Sequence, residues 1–118
     1  MTNRINEKTT VVNISKAALQ QQGYSDLTHW LENPDHIYVG RAVRYVTGAK
    51  KSKWANPFSK KKYGHQRCVE MYEEYIRNQP ELLADISELK NKVLGCWCKP
   101  GPCHGDILAR LANAANDK

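Results

Sequence analysis

One stretch limits the choice of fold more than any other. Lys92 to Cys98 reads KVLGCWC, a near-continuous apolar run. A strand with one wet face alternates apolar and polar residues, whereas a strand covered on both faces does not. Lys99-Pro-Gly-Pro102 follows at once, and such a turn cannot lie inside a helix or a sheet. The run is therefore expected to be a central strand with layers packed above and below it. Two β-branched stretches supply neighbours: Thr9 to Ile14 (TTVVNI) and His36 to Arg41 (HIYVGR). Gly40 in the second allows close backbone approach. Val43 to Val46 is expected to continue that strand or to pair beside it.

Helical patterns fill the intervals. Ala17 to Gln22 is stopped by Gly23. Ser25 or Asp26 caps a short helix carrying Leu27, Trp30 and Leu31, which Asn33-Pro34 ends. Gln66 to Asn78 is the clearest helix, with Val69, Tyr72 and Ile76 on one face. Pro80 opens a further helix with Leu82, Leu83, Ile86 and Leu89 as its apolar face. Cys103 to Ala115 is the last helix. Strands separated by helices predict a small single-domain α/β fold with a mostly parallel sheet of about three to five strands. Helices on both sides would make it three-layered and Rossmann-like.

At 118 residues the chain has room for one domain, 1–118, with 1–8 and 116–118 as frayed tails. Its 41% hydrophobic and 25% charged residues exclude wholesale disorder. No apolar run approaches the roughly 20 residues that span a bilayer. The first residues lack the apolar segment of a secretory signal. The expectation is a cytoplasmic location, in a cell or an infected host, with no membrane partner and with reduced thiols.

The formal charge of +6 is local. No acidic residue stands between Asp35 and Glu70, and that interval carries nine of the 18 basic residues, from Arg41 to Arg67. The remainder holds nine basic residues against all 12 acidic ones and is mildly acidic. A solvated basic loop that aids solubility is one reading. A phosphate-facing surface for nucleic acid or a phosphorylated small molecule is the other. Tyr45, Trp54, Phe58 and Tyr63 interleave the charges, as base stacking requires and as loop anchoring also requires. The connection Thr47 to Gly64 has no clear period, and loops this long in compact domains usually carry function or move.

Most of the chemistry lies in Cys96-Trp-Cys-Lys-Pro-Gly-Pro-Cys-His104. Cys96 and Cys98 are two apart on a strand, share a face and cannot pair with each other. Three readings stand beside one another. Cys96, Cys98, Cys103 and His104 have the donor types of a zinc site, although adjacent Cys103 and His104 strain a tetrahedron. Cys103 opens a helix, where the dipole favours a reactive thiolate. The third reading packs these Cys as small apolar groups and lets the N–H groups of Cys103 to Asp106 hold an anion. His104 or Asp106 then acts as acid, base or cap. Cys68 is expected to pack within its helix.

In an open α/β sheet, ligands bind outside the carboxyl ends of the strands. Parallel strands would bring Asn13 and Ser15, Gly40 and Arg41, and Cys98 to one edge, beside the start of the Cys103 helix. Arg41 at a strand end is held in place, whereas Lys60 to Lys62 are expected to be solvated. Trp54 either covers a ligand or locks the loop, and Asn56 either fixes a turn or reads a base edge. Lys53 and Tyr63 are further ligand candidates. Phe58 is read as structural, and His29 and His36 as surface or core-edge residues, while His65, just ahead of the main helix, either touches substrate or lies at the surface.

Val39-Gly40-Arg41, Lys53-Trp54-x-Asn56-Pro57-Phe58 and Cys96-Trp97-Cys98-Lys99-Pro100-x-x-Cys103-His104-Gly105-Asp106 occur in that order. This set resembles a domain-of-unknown-function family of small proteins in phages, bacteria and some eukaryotes, over about Val11 to Leu111. Ala55 stands where that pattern leads one to expect Gly. The resemblance implies that Arg41, Asn56, Cys98, Cys103, His104 and Asp106 share one site, and it implies no activity.

The expected function is binding of a phosphate-bearing ligand at the carboxyl edge of the sheet. That ligand is a nucleotide, a nucleotide-derived metabolite or a nucleic-acid end, which the protein hydrolyses, transfers or sequesters. An enzyme of this kind would be a nucleotide-processing hydrolase or transferase, with His104, Asp106 and Cys103 as catalytic candidates. Two alternatives come from other classes: a zinc-stabilised nucleic-acid-binding module, and a protein–protein interaction domain with a basic surface.

Overall fold

The computed structural model of the protein describes residues 8–97, 99 and 101–115. The expected frayed tails, apart from Lys8, lie outside these residues, and so does Cys98. Among them, β1 (Thr10–Asn13), β2 (His36–Tyr38) and β3 (Val93–Cys96) form one sheet in the order β1-β3-β2. Both pairings are parallel, with Thr10 and His36 each opposite Val93. The apolar run is the central strand, as its composition requires. All three strands point their carboxyl ends at the same edge.

The alternation along β3 sorts two cores. Leu94 and Cys96 face Val39, Tyr72, Ile76 and Leu108. These come from the residue that follows β2, from α4 (His65–Arg77) and from α6 (His104–Ala115). The opposite face meets Ile14, Leu19, Leu27 and Trp30, from α1 (Lys16–Gln21), α2 (Leu27–Trp30) and the chain leading into α1. The result is a three-layer α/β domain. Ser15 and Asp26 cap α1 and α2 by accepting hydrogen bonds from Ala18 and His29 backbone N–H groups.

Gly95 sets the spacing of the second layer. A Cβ there would stand 2.7 Å from Trp30 Cη2 and 2.8 Å from Ile14 Cγ2. The indole therefore lies directly on the central strand, fully buried, and stacks on His36 at 4.3 Å.

The sheet keeps the small end of the expected strand count, and the differences have local causes. β2 ends at Tyr38, although Val39 N–H still donates to Gly95 carbonyl at 3.1 Å. Val43 to Val46 is not a strand. Its N–H groups close a turn instead: Val43 donates to Ala49 carbonyl at 2.9 Å and Val46 to Val43 carbonyl at 3.2 Å. The helix expected from Pro80 breaks at Asp85 into α5 (Pro80–Ala84) and a 3₁₀ turn (Ile86–Leu89). That break buries Ile86 and Leu89 while Leu82 and Leu83 stay half-covered. Inside the long basic connection, Ser59 caps a single helical turn, α3 (Lys60–Tyr63).

Polar contacts finish the frame. Thr9 Oγ1 donates to Leu89 carbonyl at 2.5 Å, and Thr9 and Asn113 exchange two further bonds, of 2.8 and 3.1 Å. Glu73 accepts from Arg77 at 2.8 Å and from Arg110 at 2.7 Å, which holds its carboxyl below the usual range. This pair sits at the surface and links α4 to α6, where such contacts contribute little beside packing.

The close approach at Gly95 gives a direct test. Gly95→Ala should destabilise the domain by about 1–3 kcal/mol through overpacking against Trp30 and Ile14. The readout is a lower urea midpoint at unchanged slope. An unaltered midpoint would contradict the packing described.

Candidate functional site

At the carboxyl edge, Tyr38 fixes where the chain goes next. Its ring lies over Gly40, where a Cβ would come within 2.6 Å of the phenolic oxygen. Its hydroxyl donates to Arg41 carbonyl and accepts from Trp97 Nε1 at 2.8 Å. Burial raises the Tyr38 pKa, so the hydroxyl remains a donor. The ends of β2 and β3 are thereby tied together just before the chain leaves the sheet. On the far side, Asn13 Nδ2 donates to Lys99 carbonyl, and Asn13 Oδ1 accepts from Ser15 N–H at 2.7 Å. The turn after β3 is thus fastened to the end of β1.

Arg41 then organises the basic loop. Its Nε donates to Asn56 carbonyl at 2.9 Å and its Nη2 to Phe58 carbonyl. Asn56 is buried and spends both ends of its amide on the fold. Nδ2 donates to Cys68 carbonyl at 3.3 Å, and Oδ1 accepts from Phe58 N–H at 2.9 Å. Of the two roles open to Asn56, fixing a turn is the one these bonds describe.

A cavity of about 290 Å³ opens between this loop, the sheet edge and the starts of α4 and α6. Gly40, Arg41 and Cys96 line it from the sheet side, and Asn56 and Phe58 from the loop. Lys60, His65 and Cys68 close another wall, and Cys103 and His104 the last. The interior is mostly apolar, and the cations stand at its margin.

His104 is buried and held on two sides. Its Nε2 donates to Val39 carbonyl at 2.7 Å, and its ring meets Tyr72 edge-on at 4.9 Å. Since a carbonyl only accepts, the Nε2 position carries a proton. Tyr72 is buried, its pKa is driven upward by desolvation, and it donates to Trp54 carbonyl at 2.8 Å. Cys103 precedes α6 as its cap: Gly105 N–H donates to Cys103 Sγ at 3.3 Å, and Asp106 N–H to Cys103 carbonyl at 2.9 Å. Two of the N–H groups assigned by sequence to an anion are therefore engaged inside the fold.

Gly40, Arg41, Asn56, Cys96, Cys103 and His104 thus share one cavity. Trp54 does not reach it: only 3% exposed, the indole packs in the core and locks the loop onto α4. Lys53 turns away to Asp85 at 2.9 Å and Glu88 at 3.1 Å, both of which raise its pKa. Tyr63 stays outside, its ring edge-on to Phe58 at 6.5 Å. Asp106 is paired with Lys99 at 2.8 Å, away from the cavity, and raises the Lys99 pKa. Cys98 lies outside the described residues. Among those residues, no three of His, Cys, Asp and Glu gather as a metal site.

Phe58, Lys60, His65 and Cys68 also line the cavity, although sequence reasoning set Phe58, Lys60 and Cys68 aside and left His65 open. The Asn56-Pro57-Phe58 turn was the available signal, because the bonds that fix Asn56 also position Phe58.

The comparisons with known proteins follow this geometry. Over 85 residues the chain is 39% identical to an uncharacterised protein of Acanthamoeba polyphaga mimivirus, covering 64% of this chain and 65% of that one. Over 64 residues it is 33% identical to an uncharacterised 12.4 kDa protein of Enterobacteria phage T4, encoded in the nrdA-td intergenic region. That match covers 51% of this chain and 59% of the phage protein. In both cases the chain spans less than two thirds of its relative. No solved structure matches it. The pattern of one family runs through β2, the basic loop and both walls of the cavity, residues 24–114, and the chain belongs to that family, the domain of unknown function DUF4326.

Proposed function

We propose that the protein binds a phosphate-bearing ligand of the nucleotide class in the cavity at the carboxyl edge of the sheet. The carrying observation is the cavity itself. An apolar chamber of about 290 Å³ is bordered by Arg41, Lys60 and His65. Small-ligand sites combine apolar walls with a few placed polar groups, and this volume lies near the lower end of their size range of about 300–1,000 Å³. A heterocyclic base suits the Phe58 side, and a phosphate suits the cationic margin. A guanidinium has five N–H donors, and two of those on Arg41 hold the loop. The others supply the charge-assisted contacts a phosphate favours. Cys103 and His104 border the same space, so a reacting bond of a bound nucleotide would lie beside a thiol and an imidazole.

A thermal-shift series with nucleoside mono- and diphosphates tests the proposal. Ligand at about 100 times its dissociation constant stabilises by about 2.7 kcal/mol, which is readily visible as a raised melting temperature. Lys60→Ala should weaken the shift, and Arg41→Ala should abolish it. Melting of each variant without ligand separates lost binding from lost folding. If no nucleotide raises the melting temperature of the wild type, the proposal fails.

Metal removal gives an independent outcome. Incubation with a strong chelator should leave the melting curve unchanged, and purified protein should carry much less than one zinc per chain. A stoichiometric zinc whose removal unfolds the domain would favour the Cys/His metal module instead.

A further inference from the structure

Cys96 ends β3 and Cys103 precedes α6, and each is 1% exposed. Their sulfurs stand 2.7 Å apart. A covalent bridge needs about 2.05 Å between sulfurs, so the pair has well under an ångström to close. Both residues line the same cavity, which is their route to a small reagent. Gly105 N–H, in the first turn of the 12-residue α6, donates to Cys103 Sγ at 3.3 Å. A helix start and an N–H donor both favour negative charge on that sulfur. The Lys99 ammonium lies within electrostatic reach of both thiols.

We propose that Cys96 and Cys103 are a redox-active pair, oxidised by a hydroperoxide to an intramolecular disulfide and restored by a thiol reductant. Cys103 sulfur attacks one oxygen of the peroxide, the O–O bond breaks, and the other oxygen takes the Cys103 thiol proton and leaves as water or alcohol. Cys103 is now a sulfenic acid. Cys96 sulfur attacks Cys103 sulfur, the S–S bond forms and the S–O bond breaks. Hydroxide departs and takes the Cys96 proton as a second water. In sum, two thiols and one hydrogen peroxide give one disulfide and two waters, with two electrons passing from sulfur to oxygen. Two reductant thiols then restore the pair by exchange through a mixed disulfide, giving their protons to Cys96 and Cys103 and leaving joined as a disulfide. The reduced pair is the resting form, and the proposal is independent of which ligand the cavity takes.

The test treats the full chain with equimolar hydrogen peroxide and follows intact mass. Free thiols are blocked with iodoacetamide, disulfides are then reduced, and the released thiols are labelled with N-ethylmaleimide. Fragmentation of the peptide from Val93 to Arg110 assigns the labels. The expected result is a loss of two hydrogen atoms, second labels on Cys96 and Cys103, and full recovery of the starting mass with dithiothreitol. Second labels on Cys98 or Cys68, a covalent dimer, or addition of oxygen without loss of hydrogen would each overturn the proposal. Cys103→Ser should abolish the hydrogen loss. Cys96→Ser should stop at a Cys103 sulfenic acid that dimedone captures, and capture elsewhere would contradict the assigned order. The wild-type labelling decides the matter alone if either variant fails to fold.

Discussion

Burial of β3 on both faces is the constraint from which the rest of the structure follows. A strand with no wet face needs a neighbour on each edge and a layer on each side. The chain supplies β1 and β2 as parallel neighbours. It then supplies α4 and α6 against Leu94 and Cys96, and α2 against Gly95. Parallel pairing forces every strand to end at the same edge, so the segments leaving β1, β2 and β3 emerge side by side. The cavity opens where the exits of β2 and β3 are bridged by loop rather than by further strand.

The bridging loop is held mainly by hydrogen bonds to its backbone rather than by a core of its own. Arg41 donates to the carbonyls of Asn56 and Phe58, Asn56 donates to Cys68 carbonyl, and Tyr72 donates to Trp54 carbonyl. The carbonyls of Trp54, Asn56 and Phe58 lie in a segment with no ladder to satisfy them, and a buried unpaired carbonyl costs about 1–3 kcal/mol. The side chains that bond them therefore fix both the position of the loop and its distance from the sheet. Trp54 adds the apolar part, seated among the residues that cover Leu94. The residues that looked most like ligand contacts in the basic segment include the ones that build the wall.

This explains what the sequence could and could not reveal. The central strand, its parallel neighbours and the long α4 were legible because periodicity and apolar runs report burial, which is a property of each segment alone. The convergence of Arg41 and the start of the Cys103 helix was legible because parallel topology dictates it, whereas Asn56 was joined to them only by the family resemblance. Trp54 and Lys53 were not, since a basic loop rich in aromatics has the same composition whether its side chains point to a ligand or to the core. Only the acidic partners Asp85 and Glu88, more than 30 residues further on, decide where Lys53 turns. The break of the Pro80 helix at Asp85 was hidden for a similar reason. The apolar spacing through Leu89 is equally met by a helix and by a helix followed by a 3₁₀ turn.

The charge distribution acquires a different meaning in this light. Nine cations in one interval describe a field, and a field alone attracts anions without choosing a place for them. All nine of these residues are exposed, and Lys53 is neutralised by its carboxylate partners. Arg41 differs because its side chain is immobilised by the loop carbonyls before anything binds. An arginine held in this way has already lost the rotamer freedom that a free lysine must lose on contact. Under the proposed function, the exposed lysines would raise the local concentration of an anion, and the fixed guanidinium would select its position. The same bonds that shape the cavity thus fix the place of its charge, so loop geometry and the proposed anion affinity are coupled at Arg41.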